Sequence, residues 1–339
     1  MSAEIDVKEP FAPPVVDALT VRVVVDSSYE RFMPKAEHDA VKVQHLGHLP
    51  GRQMSTLAAE WGLSLHLESE MAGAKAQYLL DFGYTPEVIN RNFELLDIDP
   101  AKIGGLILSH GHRDHYGGLE GFVTQFRAHM PEDVSLFIGG EGIFRERWIK
   151  AGAKDYVSWG APNRTLLTAQ EVMPVACEAP HALHGPFTSG YIERDSFEKV
   201  TGGSMLEAEA VGEDHFSKAE RHGKLVLDEH HEEHATCYIV QGRGLVVISS
   251  CGHTGIVNTM RTAMKTANVD KVHAVIGGFH LGAAPQDYID RTVTEMLEMS
   301  PDVVVPMHCS GTPFIETMRR RAPDRLVTSN LGSRFVFGV

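Results

Sequence analysis

Four residues that can bind a metal ion lie within the six-residue segment HGHRDH, residues 110–115. An apolar run at residues 103–108 precedes the segment and predicts a buried strand, so the loop after it would present several side chains at one point. Imidazole nitrogen and carboxylate oxygen suit a borderline cation such as zinc. A polar surface turn that is rich in histidine is the alternative, and the agreement of strand and spacing argues against it. We therefore predict a metal centre built around His110, His112, Asp114 and His115.

The composition is that of a globular protein, and it disfavours several functional classes. The chain has 339 residues, of which 43% are hydrophobic, and its net charge of −14 would repel nucleic acids. No apolar run approaches the roughly 20 residues that span a bilayer, and the first residues lack a secretory pattern. We expect a cytoplasmic protein with no membrane partner and with four reduced cysteines. The 19 histidines strengthen the metal prediction.

Strand-like runs come early in the chain, and strands then alternate with helices to its end. This order is typical of a layered α/β fold with helices on the outside. Two stretches of weak periodicity, residues 26–53 and 139–223, interrupt the pattern. Long loops of this kind usually carry function, so we expect substrate-specific insertions there. The prediction is a single domain over residues 1–339 with two such insertions.

The HxHxDH segment resembles the signature of metallo-β-lactamase-fold hydrolases. LLDFG, which ends at Gly83, resembles the motif that precedes the signature in that family, and EEHATCYIVQGRGLVVISSC resembles its later hairpin. The resemblance implies an αββα sandwich of two mixed sheets with helices outside. It also implies that Asp81 accepts a hydrogen bond from a ligand imidazole. Cys251 takes the position where most members of the family carry a bridging aspartate.

The same resemblance implies how the ligands divide between two metal sites. His110, His112 and His234 would hold one ion, and Asp114, His115 and His308 would hold a second. Cys251 would supply a soft thiolate or no ligand, which favours a single ion, and His253 would replace the missing ligand. The predicted cofactor is zinc, as one or two ions, with manganese and iron left open as alternatives. The predicted catalytic residues are Asp114 and His280, and for His280, which follows a strand end, the roles of ligand, proton donor and substrate contact all stay open.

Several histidines and cysteines receive a more ordinary interpretation. Most residues of the run EHHEEH, residues 229–234, are interpreted as a charged, solvated segment that leads into a strand. Only His234 is predicted to be a ligand. Cys309 is interpreted as a small buried residue. Eight aromatic residues in the less regular segments would favour an aromatic substrate if they face the metal: Tyr29, Phe32, Phe144, Trp148, Tyr156, Trp159, Phe187 and Tyr191.

Four shorter motifs, GLSLHLE, SSCGHTGIVNT, VIGGFHL and PMHCSG, resemble a narrower branch of the family. That branch contains dihydropterin ribofuranosylaminobenzene-phosphate synthases and hydrolytic dehalogenases of chlorinated aromatics. The leading hypothesis is a zinc-dependent hydrolase in which a metal-bound hydroxide attacks a small ester, phosphoester, lactone or activated haloaromatic. We also expect the enzyme to form a homodimer.

Two other functions compete with hydrolysis. The synthase reaction, a condensation that forms a carbon bond with loss of pyrophosphate and carboxylate, is the alternative. It requires an anion pocket near the metal, so convergence of arginines on the histidines would support it and their dispersal would weaken it. The arginines in question are Arg145, Arg147, Arg164 and Arg194. A non-catalytic metal-binding module is the third hypothesis, and the intact HxHxDH segment disfavours it.

Elemental analysis of the purified protein tests the metal prediction. We expect about one or two zinc ions per chain. His115→Ala should lose both metal and hydrolytic turnover, and the stoichiometry of Cys251→Ala shows whether that thiol is a ligand. A protein that holds no metal even after reconstitution would contradict the prediction.

Overall fold

A computed structural model describes residues 11–46, 49, 51–52, 54–152, 155–208 and 225–338. Parts of the two predicted insertions lie outside the described residues, namely residues 47–48, 50, 53, 153–154 and 209–223. The described residues have the predicted α/β architecture, with two mixed sheets packed face to face. No helix in these ranges has the length and hydrophobicity needed to cross a membrane.

The first sheet has eight strands and includes the strand that leads into the HGHRDH loop. The strands are β2 (Ala18–Val25), β3 (Lys42–Gln44), β4 (Ser64–Met71), β5 (Ala74–Leu80), β6 (Ile103–Leu108), β7 (Ser135–Ile138), β10 (Met173–Ala176) and β19 (Arg334–Phe337). Their order in the sheet is β10-β7-β6-β5-β4-β2-β19-β3. β5, β6, β7 and β10 are parallel neighbours, and the rest are antiparallel.

The second sheet has seven strands, and loops at one end of it lie near the HGHRDH loop of the first sheet. The strands are β1 (Val15–Val16), β11 (His181–Ala182), β12 (Phe187–Thr188), β15 (Thr236–Val240), β16 (Gly244–Ser249), β17 (Val272–Gly277) and β18 (Val303–Pro306). The order is β11-β12-β15-β16-β17-β18, with β1 paired to β15. β16, β17 and β18 run parallel, so their carboxyl ends deliver three consecutive loops to one place.

A small third sheet was not anticipated from the sequence. It contains β8 (Arg147–Lys150), β9 (Tyr156–Gly160), β13 (Met205–Glu207) and β14 (Leu225–Leu227), in the order β14-β13-β8-β9. Segment 139–223 therefore contains regular structure, since it also supplies β10 to the first sheet and β11 and β12 to the second. Short strands separated by glycine and proline leave little periodicity to detect.

The helices cover the outer faces of the two sheets. The α-helices are α1 (Pro86–Leu95), α2 (Arg113–Tyr116), α3 (Leu119–Phe126), α4 (Arg164–Ala169), α5 (Ile256–Ala267), α6 (Gln286–Glu298) and α7 (Gly311–Arg321). Single 3₁₀ turns occupy Pro100–Lys102, Arg127–His129, Glu141–Phe144, His308–Ser310 and Pro323–Arg325. Apolar side chains of α1 and α3 join the core of the first sheet, and those of α5, α6 and α7 join the outer face of the second.

Successive side chains of the strands in the second sheet point alternately into two apolar core layers. Val246 and Ile276 face the first sheet, whereas Val247 and Val275 face the helices. Successive strand residues point to opposite faces, so a strand that is apolar at every position must be covered on both sides. This burial on both faces produces the four-layer αββα arrangement, and the strand ends then determine where the connecting loops begin.

The buried carboxyl group of Glu198 anchors the loop that leads to β13. Glu198 Oε2 accepts the backbone N–H groups of Val257 and Asn258, at 2.8 and 3.2 Å, in the first turn of α5. Asn258 Oδ1 in turn accepts the N–H groups of Asp195 and Ser196. Burial raises the pKa of Glu198 to about 7, although the hydrogen bonds from the helix oppose this shift. The loop is therefore tied to the helix that follows Cys251.

We predict that Glu198→Gln flattens the dependence of stability on pH. The unfolded carboxyl group titrates near 4.5 and the folded one near 7, so in this window the folded state holds the extra proton. The contribution of Glu198 is fully present below the lower value, and at most about 3 kcal/mol of unfolding free energy is lost as pH rises through the upper one. Urea unfolding of metal-free protein from about pH 4.5 to about pH 8 measures the slope. The exposed Glu298→Gln is the control, and equal slopes for Glu198→Gln and wild type would contradict the prediction.

Candidate metal centre

The HGHRDH loop turns sharply after β6 and buries all four of its potential ligands. His112 precedes α2, the single helical turn that contains Asp114 and His115. Each of the four residues is at most 4% exposed. Gly111 is required here because a Cβ atom at that position would lie 2.1 Å from Arg147 Nη1. The local chain geometry alone therefore gathers His110, His112, Asp114 and His115 at one end of the first sheet.

Two imidazoles of the HGHRDH loop each form a hydrogen bond at one ring nitrogen. His110 Nδ1 contacts Ser109 Oγ at 2.9 Å, and His115 Nδ1 contacts Asp81 Oδ2 at 2.7 Å. The latter bond is the one that the family resemblance implied for Asp81. The Nε2 atoms of both rings are buried and have no hydrogen-bond partner among the described residues. Metal-binding histidines have this arrangement, because the outer hydrogen bond fixes the tautomer and the ring orientation.

Two more imidazoles are oriented by the loop that Glu198 anchors. His253 Nδ1 donates to the Thr201 carbonyl oxygen at 2.7 Å, which leaves its Nε2 buried without a partner in the described part of the chain. His112 Nε2 contacts Ser204 Oγ at 2.7 Å, which leaves Nδ1 as its ligand atom. The loop that was predicted as a substrate insertion therefore also orients candidate ligands.

The candidate ligands fall into two groups that share Cys251. In the first group, the ligand atoms of His112, His230 and His253 lie within 4.8 Å of one another, and so do those of His110, Cys251 and His253. In the second group, the same limit holds for His115, Cys251 and His308. Asp114 Oδ2 lies 3.3 Å from His308 Nε2 and 3.9 Å from His115 Nε2. The chain thus brings together nearly all of the predicted ligands, whose role in binding metal stays a prediction.

His230, and not the predicted ligand His234, lies among the other candidate ligands. His234 Nε2 lies 3.0 Å from the carbonyl oxygen of Leu108, and His234 belongs to none of the ligand groups formed by the described residues. His230 adopts a left-handed backbone conformation, with φ of 49°, and its ring stacks on that of His253 at 4.2 Å. Spacing within EHHEEH could not separate the two, because the turn at His230 depends on residues far away in the chain.

A buried arginine supports that turn from behind. Arg147 Nε donates to Asp228 Oδ2 at 2.9 Å, and its Nη2 donates to Glu232. Asp228 Oδ1 in turn accepts the backbone N–H of His230 at 3.0 Å. All three charged side chains are almost completely buried, and the guanidinium compensates part of the negative charge of the two carboxylates. Asp228 and Glu232 are therefore committed to Arg147 and fix the turn that carries His230.

Electrostatics favours the neutral, metal-binding form of the first group. Burial lowers the pKa of His110, His112 and His253 well below the ordinary value, and the neighbouring imidazoles lower it further. Burial also lowers the pKa of His115, but the carboxylates of Asp114 and Asp81 outweigh it and raise that pKa to about 9. A cation bound beside Asp114 would take the place of this proton.

Two indole rings lie against opposite groups of ligands. The Trp61 ring packs on His308 with centroids 4.7 Å apart, and the Trp159 ring packs on His112 at 4.9 Å. Trp61 is 55% exposed, so it lies at the mouth of the centre. Of the eight aromatic residues singled out from the sequence, Trp159 contacts a candidate ligand, whereas Phe187 is fully buried in the core. Trp61 was missed because it lies outside both predicted insertions.

Comparisons with known proteins identify the family of the chain. The model of the Metallo-beta-lactamase superfamily matches residues 72–200. The chain is 30% identical over 280 residues to the 7,8-dihydropterin-6-methyl-4-(beta-D-ribofuranosyl)-aminobenzene-5'-phosphate synthase of Methanocaldococcus jannaschii, covering 80% of this chain and 88% of that protein. It is 24% identical over 241 residues to the uncharacterized protein MJ0448 of the same organism, covering 69% and 78%.

A solved structure shows the same fold. Tm1679, described as a metal-dependent hydrolase of the β-lactamase superfamily, superposes with a TM-score of 0.67 at 19% sequence identity. The match covers 93% of this chain and 98% of that chain. At this level of identity the likeness concerns the fold, and the predicted αββα sandwich is confirmed.

We predict that His230→Ala weakens zinc binding by more than about tenfold, because it removes an imidazole from the first group. His234→Ala should leave the affinity within about twofold, since its ring faces the Leu108 carbonyl. Competition titration against a chromogenic chelator measures both affinities. His231→Ala, an exposed neighbour, is the matched control. Unchanged affinity in His230→Ala together with weakened affinity in His234→Ala would restore the assignment made from the sequence.

Proposed function

Because the chain belongs to the metallo-β-lactamase superfamily, we propose that it is a zinc-dependent hydrolase of small molecules. The observation that carries the proposal is the convergence of buried imidazole nitrogens without protein partners, in the described residues, beside the carboxylate of Asp114. Unpartnered buried nitrogens are costly unless a cation binds them. Their convergence also argues against a non-catalytic module that has lost its metal ligands.

The residues present fit zinc. His110, His112, His230 and His253 would hold one ion, and Asp114, His115 and His308 would hold a second, with Cys251 between the groups. A zinc ion in such a site acts as a Lewis acid that polarises the scissile bond and makes water nucleophilic at neutral pH. Asp81 and the Thr201 carbonyl accept hydrogen bonds from His115 and His253, and Ser204 contacts His112, so the rings are oriented before substrate arrives.

Asp114 is the group best placed to move a proton. Its Oδ1 atom is buried and has no hydrogen-bond partner among the described residues, while Oδ2 contacts His308. Oδ1 can accept the proton of the attacking water and return it to the leaving group. The second predicted catalytic residue, His280, lies beside His253 with ring centroids 4.2 Å apart, and its catalytic role stays a prediction.

The two indoles favour a substrate with a planar apolar part. Trp61 and Trp159 are packed against His308 and His112, so a ring bound near the metal would contact aromatic surface. Among the candidate substrates, this feature favours an aryl ester, an aryl phosphoester or an activated haloaromatic over an aliphatic lactone. Specificity would then come from the loops that carry the two tryptophans.

The synthase reaction is the second candidate, and the 30% identity to the Methanocaldococcus jannaschii synthase favours it. The four arginines that would build its anion pocket are all engaged with other groups. Arg147, which lies directly behind the HGHRDH loop, is enclosed by Asp228 and Glu232, Arg164 pairs with Glu141, Arg194 pairs with Glu229, and Arg145 donates to the Glu207 carbonyl. This engagement of the arginines supports hydrolysis over a condensation that must bind pyrophosphate.

We expect zinc-reconstituted protein to hydrolyse at least one member of a panel of an aryl ester, an aryl phosphodiester, a lactone and a chlorinated aromatic. Asp114→Asn should lower kcat on that substrate by about a hundredfold, because proton transfer is lost. Asp324→Asn, which changes an exposed aspartate, is the control.

A parallel assay distinguishes the second candidate. Pyrophosphate release from a pterin diphosphate with a ribofuranosylaminobenzoate phosphate, without hydrolysis of any panel member, would replace the hydrolase by the synthase. Hydrolysis that is equal in wild type and Asp114→Asn would contradict the role of Asp114.

A further inference from the structure

Two thiol groups meet at the edge of the centre. The Sγ atoms of Cys251 and Cys309 are 3.2 Å apart, and neither cysteine is part of a disulfide bond. His280 contacts both, through Nδ1 at 3.3 Å from Cys251 Sγ and through its backbone N–H at 3.3 Å from Cys309 Sγ. The three ligand atoms lie within 4.8 Å of one another.

Tight packing between two strand-end loops holds the thiols together. Gly282 N–H donates to the Cys309 carbonyl at 3.1 Å, and Ser310 Oγ donates to the Gly277 carbonyl at 3.0 Å. A Cβ atom at Gly278 would lie 2.8 Å from Cys309 Sγ, so only glycine fits beside the sulfur. The loops after β17 and β18 therefore place Cys309 against Cys251 rather than in the apolar core.

The other two cysteines have different surroundings. Cys237 is fully buried in the apolar layer between the second sheet and its helices, and Cys177 Sγ contacts the Val175 carbonyl at 3.5 Å. Neither belongs to a group of potential ligands within the described ranges. The interpretation of Cys309 as a small buried residue fits Cys237 better, because Cys309 has a sulfur and a histidine as neighbours.

We propose that Cys251, His280 and Cys309 form a sulfur-and-nitrogen site for zinc that shares Cys251 with the imidazole centre. The proposal deepens the proposed function, since it adds a thiolate pair to the same centre. Two thiolates and one imidazole are ligands that zinc prefers, and they leave one of its four positions open. Soft sulfur ligands disfavour magnesium and manganese, so the site would select the metal by ligand type.

Binding changes the state of each group in the site. Each thiol releases its proton to solvent as its sulfur–zinc bond forms, so zinc uptake is accompanied by proton release. His280 donates a nitrogen lone pair to the cation and is then not free to transfer a proton from that nitrogen. Its role in this site is that of a ligand, which is one of the three roles that the sequence left open.

Cobalt substitution tests the site directly. Metal-free protein, kept reduced with a phosphine, is titrated with Co²⁺, and thiolate-to-cobalt charge-transfer absorption is recorded in the near ultraviolet. We expect this band in wild type, about half its intensity in Cys309→Ser because one thiolate remains, and a similar loss in Cys251→Ser. Cys237→Ser, the matched control, should keep full intensity. X-ray absorption of the zinc form should show a Zn–S distance of about 2.3 Å.

Alkylation of the wild-type protein tests the site without depending on whether the variants fold. Zinc should slow alkylation of Cys309 in wild-type protein by more than about tenfold, as read by peptide mass spectrometry. Cobalt binding without a charge-transfer band, or alkylation that zinc does not slow, would overturn the sulfur site.

His112→Ala separates the failure of this site from the failure of the proposed function. His112 lies outside the sulfur site, so the variant should lose hydrolysis and keep the charge-transfer band. A wild-type protein that hydrolyses the panel but lacks the band overturns the sulfur site alone. A protein that shows the band but hydrolyses none of the panel supports the sulfur site and overturns the proposed hydrolase.

Discussion

Several imidazole rings are buried at one point with one nitrogen bonded and the other left without a partner in the described structure. His110, His115 and His253 each show this pattern at Nε2. An unsatisfied buried polar atom costs about 1–3 kcal/mol, and protonating the rings instead would bring like charges together. A bound cation removes both costs at once. The fold must therefore hold the rings in fixed orientations with their inner nitrogens directed at one point. Much of the surrounding structure serves to fix these orientations.

The requirement explains features that are otherwise unusual for buried structure. Arg147 occupies a fully buried position between Asp228 and Glu232, and this ion pair fixes the turn that carries His230. Glu198 binds the first turn of α5 and so secures the loop whose Thr201 carbonyl orients His253. Regions that looked like substrate insertions thus act partly as scaffold. Removing Arg147 or Glu198 should weaken metal binding more than it destabilises the core, because each residue supports a segment that orients a candidate ligand ring.

The fold is shared by a structure described as a metal-dependent hydrolase and by a relative named as a synthase, so the fold alone does not choose the reaction. The choice depends on what surrounds the ligands. Here Arg147, Arg164 and Arg194 of the middle region are engaged with carboxylates, and the exposed Trp61 lies against His308. Aromatic surface beside the candidate ligands suits a planar substrate. Sulfur from Cys251 and Cys309 distinguishes the centre further from one built only of imidazole and carboxylate.

The sequence by itself determined the α/β class, the HGHRDH loop and the positions of the candidate ligands His253 and His308 at strand ends, because each follows from local periodicity or from a short contiguous motif. It did not predict the third sheet, the grouping of His230 rather than His234 with the other candidate ligands, or the contact between Cys309 and Cys251. These features depend on long-range contacts: Arg147 selects the turn at His230, and parallel pairing of β17 with β18 sets two loops side by side. Only the tertiary structure could decide them, because side chains distant in sequence meet through strand order and register, which local patterns do not encode.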